Sequence, residues 1–131
     1  MKKTGLLNAR LAAIVAGMGH TDLLVVADAG LPVPPGVECI DLAVTAGIPA
    51  MLDVLAAIAN ELQVERFVLA DELLARDAAL PDDVRGLFPG ASEESLPHEE
   101  FKALTRSARA VVRTGECTPY ANVILGAGVV F

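Results

Sequence analysis

The sequence predicts a single α/β domain over residues 1–131. Three observations carry that expectation. Runs of strand length and mainly apolar content recur at 23–27, 39–44, 66–70, 110–114 and 123–125. Stretches with apolar residues at helical spacing lie before and between them, most clearly at 49–62. A length of 131 residues suits one domain with one core.

Taken in order, Asn8 can cap a helix running to about Met18, with Leu7, Leu11, Ile14, Val15 and Met18 on one face. Gly17 and Gly19 end it. The pair Gly17-x-Gly19 is not a dinucleotide fingerprint, because the order is helix then strand and the fingerprint needs strand then helix. The run 23–27, Leu-Leu-Val-Val-Ala, reads as a buried strand. Pro32, Pro34 and Pro35 stiffen the loop after it. A second strand is predicted at 39–44. The helix 49–62 has Pro49 in its first turn and Met51, Leu52, Leu55, Ile58, Ala59 and Leu62 as its apolar stripe.

A third strand ends at Ala70, and 71–76 reads as a short helix or turn. Asp71 and Glu72 read as acid/base partners or as carboxylates at a helix N-terminus. Residues 77–95 carry the weakest pattern: one short helix around 82–88 and a solvated patch at Glu93-Glu94. A helix opens at Pro97, placing His98 at its N-terminus, where the dipole disfavours a charged imidazole; it reads as a surface cap or, if neutral, as a hydrogen-bond acceptor or base. Strand 110–114, a loop at 118–122 and strand 123–125 complete the chain.

Composition limits the function classes. The formal net charge is −7, which argues against nucleic acid and anionic membranes as partners. Neither a membrane-length apolar run nor a signal-peptide pattern is present. Hydrophobic residues make up 53%, more than a soluble domain usually carries, and subunit interfaces are the expected sink. The apolar end of the chain is expected to dock, on another subunit if not on its own chain. Cys39 and Cys117 form no metal or redox spacing and fit a reducing cytoplasm.

The chemistry gathers around the first strand. His20 precedes it and Asp28 follows it, and in open α/β sheets ligands collect beyond the carboxyl ends of strands. His20 reads either as an acid/base group or as part of a Gly-His-Thr-Asp turn held by Thr21 or Asp22. Asp28 reads as a site carboxylate or a local Asp turn. Tyr120 and Asn122 offer a hydroxyl and an amide suited to sugar hydroxyls.

Four separated motifs then align with a known family: Gly19-His20-Thr21-Asp22, the stretch from Asp28 to Pro34, Pro97-His98-Glu99-Glu100-Phe101-Lys102, and the stretch from Arg113 to Asn122. In this order they resemble the ribose pyranase and fucose mutarotase family over the whole chain. Asp-Ala-Gly-Leu-Pro and Pro-Tyr-Ala-Asn look like its ribose branch. The resemblance implies a three-layer α/β/α sandwich and a cytoplasmic isomerase without metal or organic cofactor. It implies interconversion of the pyranose and furanose forms of free D-ribose, in homo-oligomeric rings typically stacked as decamers. Carried over by motif, His20 is the proton donor, and Asp28, His98, Tyr120, Ala121 and Asn122 bind the sugar. Asp22 and Lys102 are possible supporting residues, with Asp22 or Asp28 expected to orient His20.

Three other readings share these residues. One is mutarotation of fucose or another monosaccharide. Another is sugar binding without catalysis. The last is a metal-dependent isomerase or lyase built on His20, Asp28 and His98, residue types that ligate zinc or manganese.

Overall fold

A computed structural model describes all 131 residues. The elements are α1 (Ala9–Ala16), β1 (Leu23–Ala27), β2 (Glu38–Asp41), α2 (Met51–Ala59), β3 (Val64–Ala70), α3 (Asp71–Leu74), α4 (Leu80–Leu87), β4 (Ser92–Leu96), α5 (His98–Leu104), a 3₁₀ turn (Thr105–Ser107), β5 (Ala108–Arg113) and β6 (Val123–Ala127). The six strands form one sheet in the order β2-β5-β1-β6-β3-β4. β6 runs antiparallel to both its neighbours, and every other pairing is parallel.

β1 lies inside this sheet, and all five of its residues are buried. Successive side chains of a strand point to opposite faces, so both faces must be covered. Helix α2 packs on β1, α1 on β5, and α3 and α5 on β3. The result is the expected sandwich of a sheet between helical layers. Phe67, Phe101, Leu24, Met51 and Leu55 are among the largest side chains fully buried in it.

Local chemistry sets the element ends. The Asn8 side chain accepts from the Leu11 amide at 2.9 Å, capping α1 as predicted, and Gly17 closes the helix one residue short of Met18. β2 stops at Asp41, earlier than the predicted Val44, because the Asp41 carboxylate turns back to accept from the Ala43 amide at 3.0 Å. Helix α2 begins at Met51, not at Pro49, which follows a cis peptide bond. The short helix predicted around 82–88 is α4, at Leu80–Leu87. Glu93-Glu94, expected as a solvated patch, lies in edge strand β4. The patch reading caught the exposure of Glu93 and Glu94 but not their pairing, since charged edge strands look like loops in sequence. The chain end does not dock on its own fold: Val130 and Phe131 are exposed.

The first residues are tied down by one carboxylate. Glu61 Oε1 accepts from the Leu6 amide at 2.5 Å and lies 3.3 Å from Lys2 Nζ. Gly5 passes so close that a Cβ there would fall 1.7 Å from the same oxygen, and its φ of +76° also favours glycine. The Leu6 hydrogen bond, aided by Lys2, holds the Glu61 carboxyl below its ordinary value. A carboxyl lowered by folding stabilises the folded form above its unfolded pKa and ceases to do so as pH falls through the lowered folded value. Hydrogen exchange at the Leu6 amide, extrapolated for intrinsic rate, is therefore expected to accelerate below about pH 4 in the wild type. In Glu61→Gln, whose amide oxygen can still accept from Leu6 but does not titrate, it is expected to be indifferent to pH across that window.

Candidate active site

The strand directions place five carboxyl ends and the amino end of β6 on one edge of the sheet. Two pairs of polar side chains lie along it, Asp28 with Asn122 and His98 with Tyr120. Asp28 follows β1, His98 opens α5 after β4, and Tyr120 and Asn122 lie on the loop leading into β6.

Asp28 and Asn122 lock each other. The buried Asn122 side chain accepts from the Asp28 amide through Oδ1 at 2.8 Å and donates through Nδ2 to Asp28 Oδ2 at 3.0 Å. The Gly30 amide donates to Asp28 Oδ1 at 2.9 Å, so the local Asp turn also forms. Each carboxylate oxygen thus accepts one bond, and a carboxylate offers about four lone-pair sites. Asp28 retains capacity for hydroxyl donors from a ligand.

The 114–122 loop is braced against the end of β1. Thr114 Oγ1 donates to the Ala27 carbonyl at 2.8 Å, and the Ala29 amide donates to the Glu116 carbonyl at 2.8 Å. Glu116 Oε1 accepts the Cys117 and Thr118 amides at 3.0 and 2.9 Å. Further along, the Asn122 amide donates to the Tyr120 carbonyl at 2.8 Å, a tight turn centred on Ala121. The Ala121 side chain is buried and its amide is spent on the Thr118 carbonyl at 3.2 Å, so Ala121 shapes the turn. Tyr120 takes φ = 64°, which a bulky side chain adopts only under constraint. The outcome is an edge-on contact of its ring with His98, centroids 5.0 Å apart at 79°.

Glu72 fixes the other side of this contact by accepting the His98 amide at 2.9 Å. His98 Nδ1 is buried with no hydrogen-bond partner. A buried N–H without an acceptor costs about 1–3 kcal/mol, which disfavours a proton on Nδ1. Lys102 stands apart, paired with Glu99 at 2.7 Å and facing the proline loop 32–35 with Arg106. That contact holds the Glu99 carboxyl below its ordinary value.

His20 lies at the opposite, amino edge. β1 separates it from Asp28, and five residues at about 3.3 Å each span roughly 16 Å. His20 sits in a turn closed by the Asp22 amide on the Gly19 carbonyl at 3.1 Å and by Asp22 Oδ2 on the Gly19 amide at 2.9 Å. Asp22 therefore serves the turn, and Asp28 is out of reach. The carboxylate on His20 is Glu65, whose oxygens lie 2.9 and 3.0 Å from Nε2. Sequence reasoning gave Glu65 no role, because it falls just outside the strand predicted at 66–70 and nothing in the pattern marks it. The same separation means that His20, Asp28 and His98 cannot ligate one ion within a single chain.

A model of the RbsD / FucU transport protein family matches residues 1–130. The chain belongs to that family. It is 58% identical to a D-ribose pyranase of Paracidovorax citrulli and 56% identical to one of Symbiobacterium thermophilum, each match covering all of both chains. Among solved structures, Bacillus subtilis RbsD complexed with D-ribose matches all of both chains with a TM-score of 0.96 and 53% identity. A fucose mutarotase of Streptococcus pneumoniae, complexed with L-fucose, matches 95% of each chain with a TM-score of 0.80 and 25% identity.

The Asp28–Asn122 lock carries an energetic consequence. Asn122→Ala leaves the Asp28 amide without its acceptor and is expected to cost about 1–3 kcal/mol. Urea denaturation should show a lowered midpoint with an unchanged slope.

Proposed function

We propose that this chain is a D-ribose pyranase, interconverting the β-pyranose and β-furanose forms of free D-ribose in support of ribose uptake and catabolism. The observation that carries this reading is the set of hydroxyl-recognising groups at the carboxyl edge, on a backbone with a TM-score of 0.96 to a protein solved with D-ribose. Asp28, His98, Tyr120 and Asn122 supply an anionic acceptor, an imidazole, a phenol and an amide. No helix is long and apolar enough to cross a membrane. The two free cysteines fit a cytoplasmic setting.

The chemistry needs two proton-carrying groups. His20, as imidazolium, gives a proton to the ring oxygen O5 while Asp28 takes the proton of the anomeric hydroxyl. The C1–O5 bond breaks and the C1 aldehyde forms. After rotation, the O4 hydroxyl returns a proton to His20 as O4 attacks C1. Asp28 protonates the carbonyl oxygen, and the furanose ring is closed. Protons balance over the cycle, with no redox change and no group transferred, so the steps call on no cofactor. Positioned acid–base groups of this kind supply about 10²–10⁴-fold.

His20 and Asp28 reach one sugar only if two copies meet. We place the amino edge of one subunit against the carboxyl edge of another, in rings that stack as a decamer. Exposed apolar side chains support an assembly: Val44, Ile48, Val130 and Leu7 are 79, 56, 85 and 70% exposed. Val130 and Phe131 line the same depression as His20.

Saturation-transfer NMR on free D-ribose tests the activity. The protein is expected to speed exchange between pyranose and furanose signals, and His20→Ala to return it to the water rate. Broadened ribose signals without faster exchange would make the chain a binder. Acceleration of L-fucose but not of ribose would move it to the fucose branch. Light scattering at micromolar concentration is expected to give the mass of ten chains, and a monomer would overturn the shared site.

A further inference from the structure

We infer that Glu65 is the positioning residue of His20, holding the ring by Nε2 so that Nδ1 is the atom that exchanges the proton. This rests on the pyranase reading above and assigns a residue that reading leaves without a role.

Three features of the fold converge on the contact. The first is a register break. Val64 pairs with Ala127 and Arg66 with Gly126, so Glu65 is an extra residue in β3. A bulge of this kind turns a side chain out of the ladder, and bulges recur beside active sites for that reason. The second is Gly128. A Cβ there would stand 2.9 Å from the Glu65 Cβ and 3.3 Å from Oε2, so the glycine leaves the carboxylate its space. The third is the turn that presents the imidazole. Thr21 adopts φ = 70° and donates its amide to the Ala127 carbonyl at 2.9 Å, tying His20 to the β6 end beside the bulge.

Both carboxylate oxygens of Glu65 lie within hydrogen-bond distance of Nε2, and other charged groups nearby are engaged elsewhere. Asp22 is held by the Gly19 amide and lies 3.6 Å from Arg109 Nε, while Glu61 binds Lys2 and the Leu6 amide. With Nε2–H given to Glu65, only Nδ1 is left to change its protonation. It is N–H in the imidazolium that protonates the ring oxygen, and a lone pair in the neutral ring that takes the proton back. Nε2 keeps its hydrogen and its partner through both states, so the ring does not have to reorient between the two proton transfers.

The test uses the assembled protein and D-ribose, with Glu65→Ala and Glu65→Gln measured by saturation-transfer NMR over a range of ribose concentrations. Glu65→Ala is expected to lower the maximal exchange rate about ten-fold, part of the 10²–10⁴-fold that an acid–base group supplies, with the ribose concentration for half-saturation unchanged within two-fold. Glu65→Gln keeps an acceptor for Nε2–H and is expected to recover most of that loss. A Glu65→Ala protein at the wild-type rate would overturn the assignment. So would equal losses in the two variants, or a loss confined to half-saturation, which would indicate damage to sugar binding at this edge. A wild type that leaves exchange at the water rate would overturn the pyranase reading and this assignment together, whereas an active wild type indifferent to Glu65 overturns this assignment alone.

Discussion

Burial of β1 on both faces is the constraint from which the arrangement follows. A strand whose five residues are all inside cannot hold a charged or proton-exchanging group along its length, since an unpaired buried charge is too costly. Polar chemistry is confined to its two ends. The carboxyl end receives the Asp28–Asn122 and His98–Tyr120 pairs and the amino end receives the His20 imidazole. The mixed sheet reinforces the division. Reversing only β6 brings its leading residues, Tyr120 to Asn122, to the edge where β1, β3 and β4 deliver Asp28, Glu72 and His98.

The two edges are built differently. The carboxyl edge is assembled from loops locked by backbone hydrogen bonds, with Asn122 as the buried tie between chain segments 94 residues apart. The amino edge is tuned by small departures from regular pairing. Both register breaks in the sheet lie there: one frees Glu65 for His20, and the other makes Arg109 the extra residue in β5 beside Asp22. Non-glycine residues with positive φ occur once at each edge, Thr21 beside His20 and Tyr120 beside Asn122. Backbone strain thus sits beside the candidate site residues at each edge.

What the sequence revealed tracks how local the cause is. β1 was legible to the residue, because five apolar side chains between polar clusters have few other uses. The Asn8 cap was legible for the same reason, since it depends on a neighbour three residues away. β4 was not, because Ser92, Glu93 and Glu94 earn their strand only by pairing with β3, and charged residues are what an edge strand displays. The family motifs singled out His20, Asp28, His98, Tyr120 and Asn122 as candidates, but did not reveal that His20 stands at the opposite end of the sheet from the other four. Glu65 was beyond reach by pattern alone: its role arises from a one-residue slip against β6, and a slip leaves no mark on the alternation of a strand.

The exposure of the His20–Glu65 pair bears on why an assembly suits this chemistry. In the single chain the two side chains are 53 and 40% exposed, a setting where water competes for each hydrogen bond and charge interactions are weak. The Asp28 cluster is likewise open along one side, where the 116–119 segment borders it. Neither edge excludes water by itself. In the assembly proposed above, one edge would cover the other with the sugar between them, and the same pair would act at a lower effective dielectric, where an ion pair at a given distance is several-fold stronger than in water. Subunit contact would then perform the task that a closing lid performs in a monomeric enzyme. That removes the need for a long mobile loop, and it agrees with the loops seen here, which are stiffened by proline at 32–35 and by side-chain caps at 114–118.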